Sequence, residues 1–441
     1  MTQANNVTGG LQERQTHCLL AQAFLQVDAT QVKRLVILGS TGSIGRQTLQ
    51  VVARHPERFE VLALAGHTNT AVLLEQIQQY HPKLVSVATA QERQTLQAQL
   101  KAVGYEQPLT ILCNDADEAL TQLATLTEAT HVLVGVVGMV GLPPTLAALQ
   151  AGKLVMTANK ETFVSGGHLV QPYLTQLLPL DSEHSSLFQC LQGQELSHVE
   201  RLWLTASGGP FLRLPLEAFA TITPAQALKH PKWMMGSRIS IDSATLLNKG
   251  LEVIEAYWQF GLPPEKIAVV VHPQSCIHGL VEWVDGSYTA HLGPTDMRLP
   301  LQYGLSYPQR WPSPLEAELQ RQPSPVLGLT SPSPLELEAI APERTPCLRL
   351  AQESLKAGVA YTCALNAADE VAVQAFLNEQ IRFVDIPRVL EGVLTQVSTA
   401  PPLQGLQHTC LADALVVHQW ATQSAKTACG LLGKLSKVSE E

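Results

Sequence analysis

Three carboxylates in this chain carry the spacing that chemistry needs. Asp181 and Glu183 stand one residue apart in Asp181-Ser182-Glu183-His184, so in an extended turn both aim at one side. Glu252 closes the run Asn248-Lys249-Gly250-Leu251-Glu252, in a helix expected to begin near Ala244. On that helix Asn248, Glu252 and Glu255 share a face at i, i+4 and i+7. Two carboxylates from a turn and one from a helix, with positions left for substrate oxygens, suit a hard divalent cation: Mg²⁺, Mn²⁺ or Co²⁺. Taken singly, each acid reads as a solvated or capping group; only the set points to a metal.

Donors for an anion stand near them in the chain. Ser207-Gly208-Gly209, His230, Ser243, Asn248 and Lys249 offer hydroxyl, amide and cationic groups for a phosphate, with Lys249 as the point charge. Alone, Ser207 fits a turn and Ser243 a helix cap. The stretch His230-Pro231-Lys232-Trp233-Met234-Met235-Gly236 sets one large aromatic in a polar loop. Trp233 is there either a core plug or, with Met235, part of a lid that covers substrate and excludes water.

A third group precedes both. Gly39-Ser40-Thr41-Gly42-Ser43-Ile44-Gly45 follows the apolar run Leu35-Val36-Ile37-Leu38 and opens a helix expected from about Ile44 to Ala53. Small residues let the backbone approach a pyrophosphate, and the helix N-terminus supplies N–H groups and positive potential. A tight turn without a ligand is the plainer alternative, which the strand–turn–helix–strand context disfavours. The next strand, Phe59 to Ala65, ends in Gly66-His67-Thr68-Asn69 with no acid to grip a ribose 2′-hydroxyl. That favours NADPH, with Thr68 and Asn69 donating to the 2′-phosphate beside His67.

These groups need a scaffold. Helices are expected near 72–80 and 91–102, strands near 84–87, 131–137 and 153–157, and a further helix opens at Pro143-Pro144. The alternation predicts an α/β protein whose residues 32–180 form an NADPH-binding, Rossmann-type doubly wound parallel sheet. Residues 181–307 bring polar loops, paired glycines and a strand-like 267–272, as expected of a central α+β catalytic domain holding metal and substrate. Proline is dense over 308–342, the mark of an extended linker. Residues 343–430 are helical in pattern and form a small C-terminal domain; 1–31 read as a disordered leader and 431–441 as a tail.

Composition narrows the class. A length of 441 residues suits about three domains. The formal net charge of −9, without a Lys/Arg run, argues against a nucleic-acid surface. The eight cysteines (Cys18, Cys113, Cys190, Cys276, Cys347, Cys363, Cys410, Cys429) contain no C-x-x-C, which excludes a zinc knuckle on spacing. They read as the reduced thiols of a cytoplasmic protein. The longest uncharged run, 129–152, is interrupted by Pro143-Pro144, and the first thirty residues lack a basic opening and a sustained apolar core. Neither a membrane span nor a signal peptide is expected.

In this order, Gly39–Gly45, Ala158-Asn159-Lys160-Glu161, Asp181–His184, Thr205-Ala206-Ser207-Gly208-Gly209-Pro210-Phe211, His230–Gly236 and Asp242–Glu252 closely resemble the 1-deoxy-D-xylulose 5-phosphate reductoisomerase family. His272-Pro273-Gln274-Ser275 and Leu365-Asn366-Ala367-Ala368 extend the match, which covers roughly residues 32 to 430. The resemblance implies a homodimer, dependent on NADPH and a divalent metal, that converts the phosphorylated ketose into 2-C-methyl-D-erythritol 4-phosphate in the non-mevalonate isoprenoid pathway. It implies that Asp181, Glu183 and Glu252 hold the metal, and that these two glutamates, Lys160 and Ser182 contact substrate. Ser207, Ser243, Asn248 and Lys249 are then the phosphate contacts, and His230 and Trp233 belong to the lid. Glu183, Lys160 and His230 are the expected catalytic groups, while Thr41, Gly42, Ser43, Ile44, Asn159, Glu161 and Gly236 line the cofactor.

Two departures stand out. His67-Thr68 occupies a place where the family often has a basic or small polar residue, and Asp369-Glu370 one where Asn-Glu is frequent. The residues themselves leave two other classes open. Another NADP-linked sugar-phosphate or homoserine-type dehydrogenase shares the Gly39 loop but needs no three-carboxylate metal site. A non-catalytic NADP(H)-binding regulator has no need to keep Asp181, Glu183, Glu252 and Lys249 together.

Overall fold

The computed structural model describes residues 31–113, 116–229, 236–315 and 334–438. The expected leader, the 230–235 segment with His230, Trp233 and Met235, and the middle of the proline-dense stretch lie outside these residues.

Strands that are apolar throughout must be covered on both faces, and the first sheet shows why. Its strands are β1 (Lys33–Leu38), β2 (Phe59–Ala65), β3 (Leu84–Ser86), β4 (Thr110–Leu112), β5 (His131–Val134), β6 (Leu154–Thr157) and β7 (Leu177–Pro179). All pair in parallel, in the order β4-β3-β2-β1-β5-β6-β7. Alternating with them run α1 (Ser43–Arg54), α2 (Thr70–Tyr80), α3 (Ala90–Ala102), α4 (Ala116–Ala124), α5 (Leu142–Gln150) and α6 (Glu161–Val170). This is the doubly wound sheet that the alternation predicts.

The strand order reverses between β1 and β5, and a crevice opens at their carboxyl ends. Gly39 enters it at a φ of 85°, where a Cβ would stand 2.8 Å from the Gly135 oxygen. A Cβ on Gly45 would stand 2.4 Å from the Gly39 oxygen. Glycine alone lets the loop close so tightly beneath α1. The strand expected over 131–137 stops at Val134, because the chain turns out of the sheet to reach Gly138 at a φ of 84°.

The second sheet has β8 (Val199–Ala206), β9 (Ile267–Val271), β10 (Ile277–Trp283) and β11 (Tyr288–Leu292) in the order β11-β10-β8-β9, with β8 and β9 parallel. Against it pack α7 (Ser182–Cys190) and, beyond the single turn α8 (Pro224–Ala227) and α9 (Ser237–Ala244), the longer α10 (Leu247–Phe260). Two local expectations change here. Asp181 is extended, but Glu183 already lies in the first turn of α7 rather than in an extended turn. The helix expected from Ala244 begins three residues later, at Leu247, because a separate helix α9 ends at Ala244 and Leu246 between them takes a left-handed φ of 58°. Ser243 therefore sits inside α9 and caps nothing.

After α11 (Arg298–Ser306), a strap returns at residue 334 and pairs Glu338 with Val271 in one antiparallel bridge. The C-terminal helices are α12 (Pro346–Ala357), α13 (Val359–Leu377), α14 (Ile386–Leu394) and α15 (Leu411–Val438). Here α12 packs on α10 and α13 on α6, so these helices buttress the elements that carry the site. Among the described residues no helix is long and apolar enough to cross a membrane.

Candidate active site

Lys160 stands just before α6, Asp181 just before α7, and α10 packs against α6 with Asn248, Lys249 and Glu252 in its first turns. Lys160 Nζ lies 2.7 Å from Asp181 Oδ2 and 3.0 Å from Glu252 Oε1, and donates to Asn248 Oδ1 at 2.7 Å. Lys249 Nζ lies 2.9 Å from Glu183 Oε1 and also bonds Glu252 Oε2. Asn248 Nδ2 donates to Glu252 Oε1 at 2.5 Å, and the Ser182 hydroxyl bonds Glu183 Oε2. One oxygen from each of Asp181, Glu183 and Glu252 falls within 4.8 Å of the others.

The charges perturb one another. Burial, helped by Glu252, pushes the Glu183 carboxyl up to about 7 in spite of Lys249. Burial also raises Asp181, but Lys160 and then His184 more than offset it and hold that carboxyl below the usual range. Burial works against both ammonium groups, yet the carboxylates around Lys160 and Lys249 keep them above the ordinary lysine value. Three carboxylates facing two ammonium groups leave a negative excess where the oxygens converge. All-oxygen donors of this kind could hold a hard divalent cation.

A second triple, Asp181, His184 and Glu255, is as closely set. It is sealed: the His184 and Glu255 side chains are 0% and 1% exposed, against 16% for Glu183. His184 Nε2 also meets the Glu252 backbone oxygen at 2.9 Å, and burial drives the Glu255 carboxyl well above its usual range. Of the two triples, only the all-oxygen one includes Glu183, the most exposed of these acids.

The expected phosphate contacts converge in part. Gly209 N donates to Ser207 Oγ at 3.1 Å, and Gly209, at a φ of 68°, lies so close to α9 that a Cβ would stand 2.8 Å from the Ser243 oxygen. The glycine pair thus seats the Ser207 turn on Ser243. Lys249 instead directs its ammonium at Glu183 and Glu252. On the cofactor side, Thr41, Gly42, Ser43 and Ile44 form the loop and first turn of α1, and Gly42 N bonds the Gly39 oxygen at 3.1 Å. Thr68 and Asn69 follow β2, where Asn69 Oδ1 caps α2 by accepting from Val72 N at 3.2 Å. Asn159 Nδ2 donates to the Val136 and Gly138 oxygens at 3.0 Å each, while its Oδ1 accepts from Thr162 N, stapling the β5 loop to α6. Gly236 caps α9.

Sequence reasoning missed Arg238. Its guanidinium gathers Glu161, Asp242, Asp369 and Glu370 from three helices. The signal was present only as an i, i+4 pair, Arg238 and Asp242, whose other partners lie far along the chain.

A glycine-lined crevice at a switch point, an all-oxygen carboxylate triple and a seated Ser-Gly-Gly turn are the parts of a dinucleotide-dependent oxidoreductase that works on an anionic substrate with a metal. Family models narrow this class. The 1-deoxy-D-xylulose 5-phosphate reductoisomerase model matches residues 35–167, that family's C-terminal domain model matches 177–260, and the DXP reductoisomerase C-terminal domain model matches 292–424. The chain belongs to the 1-deoxy-D-xylulose 5-phosphate reductoisomerase family. It is 45% identical over 403 residues to the reductoisomerase of Chlorobaculum tepidum, covering 90% of this chain and 100% of the relative. With that of Nitrosomonas europaea it shares 43% over 416 residues, covering 92% and 98%. A crystal structure of DOX-P reductoisomerase with NADPH, fosmidomycin and magnesium superposes with a TM-score of 0.82 at 34% identity, covering 91% of this chain and 99% of that one. The Zymomonas mobilis reductoisomerase with NADPH gives 0.79 at 37% identity, covering 90% and 99%.

Proposed function

We propose that this chain rearranges and reduces 1-deoxy-D-xylulose 5-phosphate to 2-C-methyl-D-erythritol 4-phosphate, using NADPH and Mg²⁺, Mn²⁺ or Co²⁺, in the non-mevalonate isoprenoid pathway. The observation that carries the reading is the convergence of Asp181, Glu183 and Glu252 beside two lysines in a chain of this family. A retro-aldol/aldol exchange rebuilds the carbon skeleton, and the resulting aldehyde is reduced. Asp181, Glu183 and Glu252 would hold a divalent cation, which would supply Lewis acidity, and NADPH would supply the hydride.

The chain's own groups do the rest. Lys160, held between Asp181 and Glu252, presents its ammonium to a substrate oxygen. Glu183, whose Oε2 accepts a hydrogen bond from the Ser182 hydroxyl, would take a hydrogen bond from a substrate hydroxyl. Ser207, Ser243, Asn248 and Lys249 hold the phosphate, and His230, Trp233 and Met235 close over it. Thr41, Gly42, Ser43 and Ile44 take the pyrophosphate, Thr68 and Asn69 the 2′-phosphate, and Asn159, Glu161 and Gly236 line the remaining cofactor.

The reading extends to a homodimer in the cytoplasm. In its support, no disulfide joins the described cysteines, and β11 leaves a sheet edge beside exposed Val284 and Tyr288, which a second copy would cover. The test follows NADPH absorbance with purified protein, substrate and Mg²⁺ or Mn²⁺ against an EDTA control. Oxidation that needs substrate and metal together is expected, with the branched product seen by NMR. Oxidation without rearrangement would favour the dehydrogenase alternative, and no oxidation by folded protein would overturn both.

A further inference from the structure

No step of the proposed reaction uses the ion cluster at the start of α9. Arg238 Nη1 lies 3.0 Å from both Glu161 Oε1 and Glu370 Oε1. Its Nη2 donates to Asn366 Oδ1 at 2.7 Å and Asp369 Oδ2 at 3.3 Å, and Nε stands 3.6 Å from Asp242 Oδ2. Four carboxylates thus face one guanidinium. Asp242 and Asp369 are almost wholly buried on either side of that guanidinium, and Asp242 Oδ1 and Asp369 Oδ1 have no hydrogen-bond partner. Buried carboxyl groups crowded on a single cation relieve their repulsion by keeping a proton.

We propose that Asp242 and Asp369 share one proton, and that this pair makes Arg238 the positioning residue for Glu161 and the Val136–Gly138 loop, hence for the cofactor cleft. The inference rests on the reading that Glu161 lines the cofactor. Both cleft walls touch the cluster. Glu161 opens α6 beside Lys160, and a Cβ on Gly138 would stand 2.9 Å from Glu370 Oε1. With one proton on the buried pair, the guanidinium keeps its Nη1 edge turned to Glu161 and Glu370. With both acids ionised, their added charge would pull it toward α13 and away from Glu161.

The surroundings agree. Burial pushes Asp369 up to about 6 and, with Asp369 adding to it, Asp242 well above the usual range. The other groups facing the pair are Glu161 from α6, Glu370 on α13, Cys347 on α12, and His418 on α15, whose Nε2 is 3.9 Å from Glu370 Oε2. Burial holds His418 below its usual value, so it brings no compensating charge at neutral pH.

The test is NADPH affinity, read by fluorescence on the full chain. Asp369→Asn places a permanent N–H where the shared proton stands and should keep the Kd within about threefold, whereas Asp369→Leu should raise it about tenfold or more. Arg238→Lys, which keeps the charge but loses the fork, should also weaken NADPH about tenfold. In both weakened variants the KM for the phosphorylated ketose should stay within about twofold, a split that general destabilisation would not produce. Wild-type NADPH affinity in the Leu and Lys variants overturns the inference, as does an Asn variant as weak as the Leu variant. Should the wild-type chain bind no NADPH, the cofactor reading fails. The shared proton is then judged by thermal unfolding, and an Asp369→Asn midpoint that tracks the wild type at every pH overturns it.

Discussion

The carboxylate site and the Arg238 cluster use the same materials on neighbouring helices, yet they handle excess negative charge in opposite ways. At the first, Lys160 and Lys249 each bridge two of three carboxylates, and Glu183 still reaches solvent. At the second, one guanidinium serves four carboxylates, and Asp242 and Asp369 are closed off by α9, α12 and α13. A buried charge must be paired or neutralised, because leaving it uncompensated costs several kcal/mol. The open cluster can meet that demand with an added cation. The sealed one has only protons.

The sharpest way to break the contrast is at the residue both lysines share. Glu252→Gln should lower turnover by about three orders of magnitude, the several kcal/mol expected of a lost Lewis-acid site, while NADPH binding survives. Lost NADPH binding would make Glu252 structural instead. Next in size, Arg238→Met strands the sealed acids and should cost about 3–5 kcal/mol in urea unfolding. A loss below about 1 kcal/mol would mean that the cluster was already neutral.

Adding a cation separates the two regions directly. Mg²⁺ at about a hundred times its Kd should stabilise the wild type by about 2.7 kcal/mol and leave Glu252→Gln almost unchanged. Equal shifts would place the ion elsewhere.

The smallest effect is a pH dependence. Asp369 is raised from 3.8 to about 6 on folding, so its contribution is fully present below 3.8 and is lost as pH rises through 6. Asp369→Asn lacks that titration, so between pH 4 and 7 its unfolding midpoint should gain on the wild type by the equivalent of about 2–3 kcal/mol. A constant gap would remove the proton from the comparison.

How much of this was readable depended on how local each cause is. The Gly39 loop was legible because Gly45 meets the Gly39 backbone, six positions away, and only glycine fits. β1 was legible because burial on both faces writes itself as a continuous apolar run. Asn248 and Glu252 were legible as an i, i+4 pair. By contrast nothing in the run from Asp242 to Glu252 marks the left-handed turn at Leu246.

By itself, then, the sequence determined the dinucleotide loop, the parallel sheet around it and the identity of the three carboxylates, since periodicity and steric demand act between near neighbours. Only the tertiary structure decided that Lys160 would stand between Asp181 and Glu252, that Lys249 would face two acids, and that Arg238 would collect carboxylates from three helices. Buried charges find their partners through space, across separations of 88 residues for Lys160 and Asn248 and 131 for Arg238 and Asp369, and no local pattern records which partner they meet.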